Sequence, residues 1–157
     1  MTQKYLKLFV SIVLCELVGI AGTPFTTSAI PSWYAGLTKP FFAPPNWVFG
    51  PVWTILYALM GVSIFLILQK GIQKKQVRQA ASIFAVQLFL NFTWSIVFFG
   101  ARSPILGLIN IILLASMIVL NIRLFYPLSK TAAYLLLPYL AWVSFATILN
   151  MAIFFLN

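Results

Sequence analysis

The chain has 157 residues, 62% of them hydrophobic and 7% charged, with a mean hydropathy of +1.04; soluble domains carry about 25% charged residues, so a water-soluble globule is excluded and lipid is the expected solvent. Ten Lys and Arg stand against one acidic residue, yet the basic residues flank apolar runs instead of sharing one polar face, which argues against a nucleic-acid surface and makes them topology signals. Histidine is absent and Glu16 is the sole carboxylate side chain, so the commonest metal and haem ligand is missing and paired-carboxylate chemistry is excluded.

In chain order, apolar segments run over about residues 5–25, 47–68, 79–99, 105–125 and 131–156. Each is near or above the roughly 20 residues that cross a hydrocarbon core. The expected fold is an all-α integral membrane domain covering 1–157, a bundle of five transmembrane helices with a folded lid loop over 26–46. Lys4 and Lys7 precede the first run as in a signal peptide, but the run is too long and Glu16 interrupts it, so it is read as a mature helix. Cys15 lies within the same run; as a lone cysteine it forms no intramolecular disulfide, and it is read as a small buried apolar residue. An N-terminus-in arrangement puts Lys4, Lys7, Lys70, Lys74, Lys75, Arg78, Arg123 and Lys130 on the cytoplasmic side and leaves Lys39 and Arg102 outside, together with the C-terminus. Without an N-terminal targeting extension, a bacterial plasma membrane is expected rather than an organelle.

The connection between the first two helices alternates aromatics and prolines, Ser32-Trp33-Tyr34-Ala35-Gly36-Leu37-Thr38-Lys39-Pro40 followed by Phe41-Phe42-Ala43-Pro44-Pro45-Asn46-Trp47. Proline limits the backbone freedom lost on ordering, and Trp and Tyr suit the headgroup level. Such a loop either folds across the bundle mouth as a lid or serves as an interfacial anchor.

On helix two Trp53 and Tyr57 are four residues apart; on helix three Gln87, Asn91, Trp94 and Phe98 share a face; on helix five Tyr139, Trp142, Ala146 and Leu149 do so, flanked by Phe145 and Asn150. Pro138 is placed to bend the fifth helix near the start of that stretch. Indole and phenol groups need hydrogen-bond partners in hydrocarbon, so these faces are expected to point inward, with Asn91 and Gln87 as acceptors. They then either pack a core or line a cavity. Glu16 stands open in the same way: a carboxylate in mid-span costs about 3 kcal/mol on insertion scales, and it is either bonded to a neighbouring helix or functional. Ala81 and Ala85, four residues apart, suit close helix approach and a homodimer. Leu124, Tyr126 and Lys130 match a cholesterol-contact pattern so loose that chance explains it.

The blocks Trp33-Tyr34-Ala35-Gly36-Leu37-Thr38-Lys39-Pro40, Pro44-Pro45-Asn46-Trp47-Val48-Phe49-Gly50-Pro51-Val52-Trp53 and Leu56-Tyr57-Ala58-Leu59-Met60-Gly61 resemble the signature of the tryptophan-rich sensory protein family. Its mitochondrial members are called translocator proteins or peripheral benzodiazepine receptors. Gln87-Leu88-Phe89-Leu90-Asn91-Phe92-Thr93-Trp94-Ser95 and the stretch from Leu137 to Asn150 agree with it in order.

The resemblance implies a five-helix bundle, often a homodimer, whose pocket under the first loop binds porphyrins and isoquinoline or benzodiazepine ligands. It carries the pocket onto Trp53, Tyr57, Asn91, Trp94, Trp142, Phe145, Ala146 and Leu149, and the lid region onto Trp33, Lys39 and Trp47. Phe42 stands where many members have tryptophan. After Asn150 there is neither tyrosine nor a basic residue, so sterol binding at that end is not expected. The implied function is porphyrin binding in tetrapyrrole and oxidative-stress responses, with Lys39 or another mouth residue pairing a propionate. No cofactor is implied, porphyrin being ligand or substrate; the only implied catalysis is light- and oxygen-dependent porphyrin breakdown, with Trp53 and Trp142 as electron donors. Transport of porphyrins or other lipophilic molecules, and a ligand-sensing scaffold, are the alternatives.

Overall fold

The structure, a computed structural model, describes residues 2–157. Among these, six α-helices build five membrane spans. α1 (Thr2–Ala29) continues through a π-helical turn, Ile30–Tyr34; α2 (Phe49–Leu68) is entered through a 3-10 turn, Asn46–Val48; and α3 (Lys75–Ser95) ends in a second π-helical turn, Ile96–Gly100. α4 is Pro104–Phe125, and the fifth span consists of α5 (Lys130–Leu135) and α6 (Leu137–Leu156). All five spans are long and apolar enough to cross a membrane.

The first span is longer than its composition suggests. The stretch expected to open the loop at residue 26 is helical as far as Gly36, so the non-helical connection is only 37–45. Its polar side chains are satisfied by the helix that carries them: the Thr23, Thr26 and Thr27 hydroxyls donate to the carbonyls of Gly19, Gly22 and Thr23 at 3.2, 3.4 and 3.0 Å. Ser32 donates likewise to Ser28 at 3.0 Å. A hydroxyl in hydrocarbon needs a partner, and bonding back one turn supplies it without breaking the helix. In the fifth span, Leu136 separates α5 from α6, and Pro138 stands in the first turn of α6, where a missing N–H costs nothing.

Around the bundle the order is α1, α2, α5 with α6, α4 and α3, which returns to α1. Apolar burial contributes little between helices already in lipid, so close approach and interhelical hydrogen bonds must set the packing. α1 and α2 meet at Gly61, where a Cβ would lie 2.5 Å from the Ile12 Cα. Ser63 donates to the Ala132 carbonyl at 2.7 Å, tying α2 to α5. In the half away from the lid, Met60, Ile67, Val77, Ile118, Phe125 and Val143 fill the interior. A second cluster of Ala29, Tyr34, Phe98, Phe99, Leu149 and Ile153 closes the lid end.

The two π-helical turns face each other there. Trp33 and Tyr34 set their rings edge-on to Phe98 at 5.4 and 6.4 Å. The Ala81–Ala85 pair does not form one outward stripe, because Ala81 packs against the core while Ala85 is exposed.

Candidate ligand cavity

Between the filled half and the lid-end cluster lies a cavity of about 440 Å3, within the usual range of small-molecule sites. Its walls are aromatic. Trp53 lies 5.6 Å from Tyr57 and edge-on to Tyr139 at 6.2 Å. Phe49 stands edge-on to Trp142 at 5.9 Å, and Trp94 stacks on Phe98 at 5.0 Å with 10° between the planes.

Polar side chains hold these walls in place. Tyr57 donates its hydroxyl to Asn91 Oδ1 at 2.6 Å, and Asn91 Nδ2 donates to the Tyr139 hydroxyl, also at 2.6 Å. One turn towards the lid, Trp94 Nε1 donates to Asn150 Oδ1 at 3.3 Å, and Asn150 Nδ2 donates to the Pro104 carbonyl at 2.9 Å. These bonds join α2, α3, α4 and α6 across the bundle and fix the ring orientations. Gln87 was expected as an acceptor and is not one: its amide donates to the Met60 sulfur at 3.7 Å, and its Oε1 has no partner among the described residues. The indole N–H of Trp142 is likewise without a partner among them.

Of the residues singled out from sequence, Trp47, Trp53, Tyr57, Asn91, Trp94, Trp142, Ala146 and Leu149 line the cavity. Trp47, at 74% exposure, stands at its mouth. Trp33, Lys39 and Phe145 are not on its walls. Trp33 belongs to the helical extension of α1, packed on Phe98. The Lys39 ammonium donates to the carbonyls of Ala35 and Leu37 at 3.4 and 3.2 Å and sits 4.9 Å above the Tyr34 ring, so here it is engaged with its own segment instead of the cavity. Phe145 packs between Trp142 and the lid residue Phe42, at 5.6 and 6.2 Å.

Residues 37–45 contribute nothing to the cavity walls; the lid lies over α6. Thr38 is clasped there by the Asn157 amide, which accepts from its N–H at 2.9 Å and donates to its carbonyl at 3.0 Å. The cavity opens sideways. Ile20, Thr23 and Thr27 of α1 and Gly50 and Thr54 of α2 all line it and are exposed, which puts the opening between these two helices.

On the α1 wall the sequence singles out Glu16 alone; Gly19, Ile20, Gly22, Thr23, Thr26, Thr27 and Ile30 join it only in the structure. Residues 16, 19, 20, 23, 27 and 30 form one helical stripe, which a helix ending at residue 25 cuts short by leaving Thr27 and Ile30 in the loop. Phe49, four residues before Trp53, was legible from the same periodicity.

Five spans enclosing an aromatic cavity that opens towards lipid define a membrane protein built to hold a small apolar ligand. The chain matches the TspO/MBR family model over residues 11–156 and belongs to that family. It is 47% identical over 155 residues to the tryptophan-rich protein TspO of Archaeoglobus fulgidus, covering 99% of each chain. It is 42% identical over 120 residues to the translocator protein of Homo sapiens, covering 75% of this chain and 70% of that one. To the tryptophan-rich sensory protein of Cereibacter sphaeroides it is 34% identical over 139 residues, 87% and 85% of the two chains. Membership of this family supports a ligand-binding or sensing role in the membrane.

Proposed function

We propose that the cavity binds protoporphyrin-type tetrapyrroles, and by the same apolar walls isoquinoline- or benzodiazepine-type ligands. The observation that carries this reading is the set of indole and phenyl faces of Phe49, Trp53, Trp94 and Trp142 on one cavity of about 440 Å3. A flat macrocycle is held by stacking on such faces. Its propionates lie at the opening, beside Thr23, Thr27 and Asn46, rather than on Lys39. A bound pigment excited by light takes an electron from Trp53 or Trp142 and passes it to dioxygen; the tryptophan radical then takes an electron back from the pigment, and the oxidised macrocycle combines with the superoxide, so that dioxygen is the net oxidant.

The family's sensory names favour a second outcome from the same site, in which occupancy alone is the signal. The clasp between Asn157 and Thr38 links the lid to α6, whose side chains form one cavity wall. By the positive-inside rule the eight basic residues at the end away from the lid face the cytoplasm of a bacterial cell, with the lid outside. Self-association uses the exposed face of α3 around Ala85 and Phe89, and crosslinking in native membranes tests it.

The deciding experiment is titration of detergent-purified protein with protoporphyrin in the dark, followed by tryptophan quenching and the Soret band, then illumination in air. Saturable binding with tryptophan-dependent bleaching supports pigment breakdown. Binding without such bleaching supports sensing or carriage, and counterflow of labelled porphyrin in proteoliposomes then separates the two. Absence of saturable binding overturns the porphyrin reading.

A further inference from the structure

We propose that Glu16 makes the inner end of the cavity a binding site for lipophilic ammonium ions, a ligand class opposite in charge to the porphyrin propionates. Glu16 is the chain's only carboxylate side chain. It lines the cavity in mid-span and has neither a hydrogen-bond nor a charge partner among the described residues. The nearest basic residue along the same helix, Lys7, is nine positions away, about 13 Å along the axis. Lys39 is engaged with the carbonyls of Ala35 and Leu37. The one phenol near it, Tyr57, already gives its proton to Asn91. An intramembrane carboxylate is costly, and such groups are normally paired. Among the described residues none pairs with Glu16, which leaves its place on the cavity wall open to a partner from outside the chain.

The surroundings select that partner. A Cβ on Gly19, one turn above Glu16, would fall 2.3 Å from the Tyr57 ring, so the Cδ2–Cε2 side of that ring lies directly against this part of α1. Trp53 continues the aromatic wall at 5.6 Å. A carboxylate beside aromatic faces is the chemistry that holds an ammonium group, by a charge-assisted hydrogen bond and by cation–π attraction together. The sideways opening between α1 and α2 lets an amphiphile keep its apolar body in the bilayer while its head reaches Glu16. Nonspecific attraction does not supply the preference, because the chain carries a net charge of +9, which repels cations.

The test uses the full chain in nanodiscs of zwitterionic lipid at pH 7, with dansylcadaverine, a dansyl group on a primary amine, and its N-acetyl derivative, which is uncharged. Energy transfer from the cavity tryptophans reports binding. The wild type is expected to bind the amine at least tenfold more tightly than the acetylated probe. Glu16→Gln should reduce that preference to within twofold while leaving the acetylated probe unaffected. Glu16→Asp, which keeps the charge, should retain a preference of threefold or more. Equal binding of the two probes by wild type, no binding of either, or an undiminished preference in Glu16→Gln overturns the proposal. Dark binding of protoporphyrin, measured beside these, reports on the porphyrin reading separately.

Discussion

Tyr57 on α2 donates its hydroxyl to Asn91 on α3 at 2.6 Å, and the same amide passes a hydrogen bond to Tyr139 on α6. One side chain thus satisfies two phenols in the interior and ties three spans together at the floor of the cavity. Leaving a buried polar group unpaired costs about 1–3 kcal/mol. Asn91→Leu, which strands both hydroxyls, is expected to destabilise the protein by about 2–4 kcal/mol. Tyr57→Phe, which strands only one acceptor, should cost about 1 kcal/mol. Thermal unfolding in a fixed detergent checks the ranking.

Two glycines on the α1–α2 contact should respond differently. At Gly61 an added Cβ meets the Ile12 backbone at 2.5 Å, whereas at Gly19 it meets the Tyr57 ring at 2.3 Å. Backbone cannot yield without moving a helix, so Gly61→Ala is expected to cost about 1–3 kcal/mol. A ring can swing, and it would swing into the cavity. Gly19→Ala should therefore weaken dark protoporphyrin binding more than it lowers the melting temperature.

The lid is held on α6 by the pair of hydrogen bonds between Asn157 and Thr38. Both lie on exposed groups, so Asn157→Ala should change global stability by less than about 1 kcal/mol. Its effect is expected locally, as faster deuterium uptake over residues 37–45 with uptake in α2 and α4 unchanged.

Trp142 has a buried indole N–H with no partner among the described residues, so Trp142→Phe removes no hydrogen bond. Paired with Trp53→Phe, it should fold normally and bind protoporphyrin in the dark within about thirtyfold of wild type, each of the two weakened stacking contacts being worth about 1 kcal/mol. Light-driven bleaching should be lost. Bleaching at the wild-type rate would remove both tryptophans as electron donors.

Sequence by itself determined the solvent, the five spans and which aromatic residues share a helix face; whether those faces pack a core or line a cavity it left open. Hydrocarbon leaves the backbone no partner but itself, so apolar runs of sufficient length must be helices. Spacing of three and four residues then put Trp53 with Tyr57, Asn91 with Trp94, and Trp142 with Ala146 and Leu149 on single faces. Periodicity describes each helix only against its own axis. Which faces meet depends on contacts between helices, such as Gly61 against Ile12, and those are set by three-dimensional packing.

The same limit explains what was not legible. Hydroxyls that bond back to their own helix carried α1 past the Ser/Thr-rich stretch, so Trp33 became part of a helical turn and Lys39 was drawn to nearby carbonyls. Phe145 shares its helix with Trp142 but turns to the lid. Glu16 was visible as an anomaly in an apolar run, but only the tertiary structure decided its place. The crossing of α1 and α2 lays the Tyr57 ring against Gly19, commits the Tyr57 proton to Asn91, and leaves the carboxylate on the cavity wall without a partner among the described residues.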